Sequence, residues 1–188
     1  MGVAVRRETR MSVAEYRIWV EDRPDWERWE LIDGERILMS PPRERHQTIV
    51  ANLILGLSDL ARPKNCRALP GLAILSEAMD DFAPVPDVVV RCGPPLPDGY
   101  ASDPVLVAEV LSPSTMTLDR GRKIDFYKTV GSLRRFLIVY QAEARIEVFS
   151  RRDAEEWESA ALGLNDSLDL PELGGAVAVR DVYRDVVF

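Results

Sequence analysis

The sequence predicts an α/β fold: a mixed central β-sheet flanked by helices. Three observations carry that expectation. Apolar residues recur at helical spacing over 44–61, giving an amphipathic helix. Apolar and β-branched runs over 87–91, 104–111 and 133–140 read as strands. A second helical stretch over 118–129 separates the last two runs. A length of 188 residues favours one domain and is enough to bury a core without disulfides or a structural metal. Within a single domain over 1–188, residues 1–10 read as a loose arm, 11–150 as the core and 151–188 as a C-terminal extension.

The elements follow from local chemistry. Ser12 and Glu15 have capping-box spacing, so a helix is expected over 13–21. Two apolar runs, 29–32 and 36–39, flank Asp33-Gly34-Glu35; Asp-Gly between such runs is a hairpin signal because the turn needs positive φ. Ser40-Pro41-Pro42 ends the second run. Beyond Pro63, residues 66–69 and 72–75 are short strand candidates, and the Pro- and Gly-rich stretch 92–104 reads as a loop. The helix over 118–129 should stop at Gly131, and 133–140 and 145–149 look like paired strands. The tail holds weaker strand signals at 168–170 and 176–179, and no repeat, low-complexity segment or linker interrupts the chain.

Composition narrows the setting. Apolar residues at 46% and charged residues at 29% make an ordinary soluble balance. No apolar run approaches the ~20 residues of a membrane-spanning helix, so no membrane partner is expected. The opening residues carry Arg6 and Arg7 but no apolar stretch, so a secretory signal is not expected. Gly2 lacks the Ser or Thr of a myristoylation site. Cys66 and Cys92 form no CxxC pair, which argues against a disulfide framework and a cysteine-ligated zinc; a reducing cytoplasm fits. The net charge of -7 counts against nucleic-acid binding, which usually leaves a basic footprint. It leaves room for local basic clusters: Arg6, Arg7 and Arg10; Arg120, Arg122 and Lys123 with Lys128 beyond; and Arg134 with Arg135.

Two acids lie where acids are costly. Asp87 opens a strand after Pro86, and Glu109 interrupts the apolar run 104–111. A charge in such a run needs a partner or a metal. Side by side, the two strands would bring both carboxylates to one sheet edge. Hard oxygen donors of that kind suit Mg²⁺ or Mn²⁺. The other reading has Asp87 capping a turn and Glu109 paired with a basic side chain. His46, the single histidine, rules out a multi-histidine metal site and stands at the start of the long helix. Ser112 and Ser114 do not read as nucleophiles, having no histidine near in sequence. Trp19, Trp26, Trp29 and Trp157 are expected in core or interface.

Pro86-Asp87 followed by Glu109-x-Leu111 resembles the PD-(D/E)xK nuclease superfamily. More narrowly, an ordered series over roughly 12–150 resembles the Uma-two family of restriction-endonuclease-like proteins. The series runs from Glu30-Leu31-Ile32-Asp33-Gly34-Glu35 through Met39-Ser40-Pro41-Pro42 with His46 to Pro86-Asp87-Val88-Val89-Val90. It continues through Glu109-Val110-Leu111-Ser112-Pro113-Ser114-Thr115, Asp119-Arg120-Gly121, Lys123 with Tyr127, and Gly131. The resemblance implies a restriction-endonuclease-like fold and metal-dependent hydrolysis of DNA. Asp87, Glu109 and the backbone carbonyl of Val110 would hold Mg²⁺ or Mn²⁺, and Glu30 would complete the acidic cluster. His46 and Tyr127 would stand behind these groups. One departure bears on activity. Residues two apart on a strand face the same side, so the superfamily lysine would stand at 111, where this chain has leucine. The resemblance implies that Lys123 takes its place; the alternative for Lys123 is an i,i+4 pair with Asp119. Glu35 is as plausible an acid as Glu30 by pattern alone. A homodimer would supply two sites for a duplex. Two other functions stay open: a noncatalytic binding module that keeps the nuclease fold, and a hydrolase of small phosphoesters.

Overall fold

The computed structural model describes residues 10–111, 119–153 and 156–188, with the side chains of 119 and 120 excepted. Leu118, the 112–115 stretch and most of the expected arm therefore lie outside the described residues, as do Arg6 and Arg7.

In chain order the elements are α1 (Val13–Glu21), β1 (Trp29–Ile32), β2 (Glu35–Leu38), α2 (Glu44–Ala61), β3 (Cys66–Pro70), β4 (Ala73–Ile74), β5 (Val88–Cys92), β6 (Tyr100–Ala101) and β7 (Pro104–Leu111). They continue with α3 (Asp119–Thr129), β8 (Arg135–Tyr140), β9 (Arg145–Arg151), β10 (Trp157–Gly163), β11 (Ser167–Leu170), β12 (Gly175–Ala178) and α4 (Val179–Val182). Six strands form the main sheet in the order β10-β9-β8-β7-β5-β3. Within this sheet β7 and β8 pair in parallel, while β3 with β5, β5 with β7, β8 with β9 and β9 with β10 are antiparallel. The sheet is thus mixed, with helices against it.

Alternation along β7 sorts the two faces. Leu106, Ala108 and Val110 join Ile49, Leu53 and Leu57 of α2 in one apolar cluster. Val107 points the other way, into a cluster with Phe126, Tyr127 and Val130 from α3 and its end. The β1–β2 hairpin lies on this second side, with Ile32 buried in the same cluster. Asp33 and Gly34 both take positive φ, as the Asp-Gly turn requires. A Cβ on Gly34 would lie 2.5 Å from the Arg10 side chain, so the close passage of the chain past the turn also demands glycine there.

Three expectations need correction. First, Cys66 and Cys92 form a disulfide. They are direct cross-strand partners in β3 and β5, a juxtaposition that pairing register creates and sequence spacing does not reveal. Second, residues 72–75 make only a two-residue strand, which pairs with another inside the expected loop 92–104. Third, the tail is more than weak strand. β10 extends the main sheet along β9. Leu168, Leu170, Val177, Val179 and Val182 are buried in the α2-side cluster. Of the two settings expected for the tryptophans, core or interface, Trp26 at 83% exposure is not in the core.

Candidate active site

The polar cluster forms at the carboxyl end of β7. Glu109 has the same strand parity as Val107, so it faces α3, away from α2. The register pairs Val88 of β5 with Ala108 of β7. One position further, just before β5 begins, stands Asp87, beside Glu109. Its Oδ2 accepts a 2.7 Å hydrogen bond from the Val110 backbone N–H. Its Oδ1 lies 3.2 Å from Nε2 of His46, in the first turn of α2. Both carboxylate oxygens are therefore engaged, one by the sheet and one by the helix across it. Nδ1 of His46 is buried without a partner.

Lys123 sits on the same helical stripe as Phe126, Tyr127 and Val130, at spacings of three, four and seven, and so points into the sheet. Its ammonium lies 2.9 Å from Glu30 Oε2 and 3.2 Å from Glu109 Oε1. Lys123 thus stands between two carboxylates from β1 and β7, while the side chain of Asp119, its other expected partner, is outside the described residues. Tyr127, one turn further, donates a 2.6 Å hydrogen bond to the same Glu109 oxygen. Glu30 on β1 also accepts from the Val85 backbone N–H at 3.3 Å. Hairpin geometry decides between the two candidate acids: Glu30 is buried in the cluster and Glu35 is exposed. Asp33 at the hairpin turn holds Arg10 at 2.5 Å and Arg122 of α3 at 3.1 Å, tying the hairpin to the helix.

Burial shapes the charges. It pushes the Glu109 carboxyl up to about 7; Lys123 opposes the rise, while Asp87 and Glu30 add to it. Burial would lower Lys123, but the charges of Glu109 and then Glu30 outweigh it and hold the ammonium above its ordinary range. The Tyr127 phenol is pushed well up by burial and by Glu109, so it remains a donor. Among the described residues, no three of His, Cys, Asp and Glu stand together as a ready cage for a metal ion. Lys123 occupies the space between Glu30 and Glu109 instead.

Gln141 escaped the sequence reading. It is buried at 7% exposure, and its Nε2 donates to the Val110 carbonyl at 3.4 Å. Its place directly after the apolar strand 135–140, parallel to β7, was the available signal. Arg91 also escaped. It is buried and donates two 2.8 Å hydrogen bonds to Asp103, away from this cluster.

A mixed sheet with acids and a lysine gathered at the end of its parallel pair defines a protein of the restriction-endonuclease-like class. The chain belongs to the Uma2 family, described as "Putative restriction endonuclease", which it matches over residues 13–180. Two proteins of Synechocystis, both described as uncharacterized, are similar to it. One is 28% identical over 95% of this chain and 94% of its own. The second is 28% identical over 70% and 76%. A crystal structure described as a "putative nuclease belonging to DUF820" from Anabaena variabilis superposes with a TM-score of 0.75. It is 15% identical and covers 94% of this chain and 99% of its own, which is a likeness of fold.

Proposed function

We propose that this chain is a metal-dependent endonuclease that hydrolyses DNA phosphodiester bonds. The observation that carries the reading is the convergence of Glu30, Asp87, Glu109 and Lys123 from four separate segments at one end of the sheet. Three carboxyl groups gather there around one ammonium, an excess of acid over cation. A divalent cation balances that excess, and oxygen donors suit Mg²⁺ or Mn²⁺. Asp87 and Glu109, with the Val110 carbonyl, would hold the ion. When bound it supplies Lewis acidity at a phosphoryl oxygen and offsets charge that builds during displacement. Lys123 would orient the attacking water through its ammonium and then stabilise the added negative charge on phosphorus. Water would attack phosphorus and release its proton to solvent, the P–O bond to the leaving sugar oxygen would break, and solvent would protonate that oxygen. Glu30 fixes the lysine, and Tyr127 fixes the Glu109 carboxylate. Cutting both strands of a duplex calls for two such sites, so a homodimer is part of the proposal.

Plasmid nicking with Mg²⁺ or Mn²⁺ tests it. Wild-type protein should nick, and Asp87→Ala and Lys123→Ala, each verified as folded, should lose about 10²–10³-fold in rate. Nicking that survives Asp87→Ala would assign the activity elsewhere. A second reading, a binding module that keeps the fold without catalysis, is favoured by Leu111 at the usual lysine position and by the occupation of the acids by Lys123. It predicts metal-independent DNA binding and no cleavage on any DNA substrate.

A further inference from the structure

The opposite end of α3 carries the opposite charge. A broad concavity of about 750 Å³ opens there, lined by Lys128, Arg134, Arg151 and Arg152, with Asp153 the acid on its wall. In a chain with net charge -7 such a gathering of cations is unexpected. Part of it has a structural explanation. Arg151 donates to the backbone carbonyls of Lys128, Val130 and Leu133 at 2.8–3.0 Å, covering the negative end of the helix. Its guanidinium also stacks 4.6 Å over Trp157. Arg152 is paired with Glu158 at 2.7 Å.

Lys128 and Arg134 are different. Both side chains are exposed, and among the described residues neither has an ion-pair partner. Arg134 stands near enough to Arg151 for its charge to lower the Arg151 pKa, after burial as the larger cause. The Arg134 and Arg151 guanidinium groups line the same hollow beside Lys128, an arrangement that a shared anion would relieve.

The position of the hollow gives the anion a length. β7 and β8 are parallel, so α3 between them runs back against β7. Its first half meets Glu109, while its end meets the start of β8, where the Arg134 N–H donates to the Val105 carbonyl. Glu109 and Val105 are four residues apart on β7, roughly 13 Å. At ~3.4 Å of rise per nucleotide in one strand, that is about four nucleotides.

We infer that the basic hollow at the carboxyl end of α3 is a second binding surface, distinct from the carboxylate cluster, that grips the phosphate backbone of a nucleic acid a few nucleotides from the point of cleavage. The choice of nucleic acid among polyanions rests on the nuclease reading; the cationic hollow itself does not. The surface reads backbone charge and carries no base specificity.

Fluorescence anisotropy of a labelled DNA duplex, in EDTA and across a series of salt concentrations, tests the inference. The double variant Lys128→Glu/Arg134→Glu should bind on the order of tenfold or more weakly at moderate salt. It should also lower the log–log salt slope by about two. Lys128→Gln/Arg134→Gln, which removes the charges without adding acids, should give the same change of slope and guards against misfolding by charge reversal. Arg180→Gln, which removes an exposed cation of α4 on the α2 side of the sheet, should bind as the wild type does. Equal affinity and equal slope for wild type and both groove variants would overturn the inference, as would a wild type that binds no DNA. Nicking in Mn²⁺ separates the two proposals. Charge-dependent binding without any nicking keeps the surface and sinks the nuclease. Nicking with unchanged KM in the groove variants keeps the nuclease and sinks the surface.

Discussion

The two faces of the main sheet are built from alternate residues of the same strands, yet they obey different rules. The α2 face is an apolar core: Val88, Val90, Leu106, Ala108, Leu137 and Val139 pack on Ile49, Leu53 and Leu57. The α3 face opens the same way with Val89, Val107 and Phe136, then admits Glu30, Glu109, Lys123 and the Tyr127 hydroxyl at its end. Buried charges gain little stability over a well-packed apolar set, because desolvation offsets their attraction. One face is therefore shaped by folding, and the other accepts a cost that folding alone does not explain.

That contrast can be broken by mutation. Leu53→Ala on the α2 face should lose about 2–5 kcal/mol of stability, as a truncation in a closed apolar core does. Glu109→Gln on the other face should abolish nicking yet leave the metal-free protein as stable as wild type or more so, measured by urea unfolding. A large loss of stability in Glu109→Gln would show that the charged cluster is structural cement and remove the contrast.

The role of His46 sharpens it further. This residue reaches from the α2 side to hold Asp87, so it links the two faces. His46→Ala should lower the nicking rate by about 10–100-fold, the usual effect of losing a group that orients a metal-binding side chain. His46→Gln, whose amide can donate to Asp87 as Nε2 does, should restore part of the loss with little change in KM. Equal loss in both variants would assign the histidine a different task.

The smallest effect is a pH dependence. The folded Glu109 carboxyl titrates at about 7, above its ordinary 4.5. Between these values the folded state holds a proton that the unfolded state has released, so stability falls as pH rises through this window. In EDTA, the melting temperature of wild type should drop by a few degrees more than that of Glu109→Gln between pH 5 and 7.5. Mn²⁺ should raise it more at the upper pH than at the lower, because the ion replaces the proton. A wild type and Glu109→Gln with parallel profiles would count against the buried charge.

Much of this protein follows from local rules. Ser12 and Glu15 form the capping box that their spacing announced, and Asp33-Gly34 turns the hairpin with two positive φ angles. The amphipathic run became α2 over the same residues, 44–61. Asp87 and Glu109 were visible as acids in apolar strands, and Lys123 occupies an apolar helical stripe that the sequence displays. These features are legible because turns, caps and periodic faces depend on residues close in sequence. The tertiary structure decided what distant segments do to one another. It chose Glu30 over Glu35 by the face of β1 that meets α3, and it paired Cys66 with Cys92 through strand register. It drew β10 into the sheet although its own residues show no clear alternation. It also set Lys128 of α3, Arg151 of β9, and Arg134 and Arg152 from the connections beside β8 and β9, around one hollow. Charge and burial at such places depend on which surfaces meet, and no stretch of neighbouring residues encodes that alone.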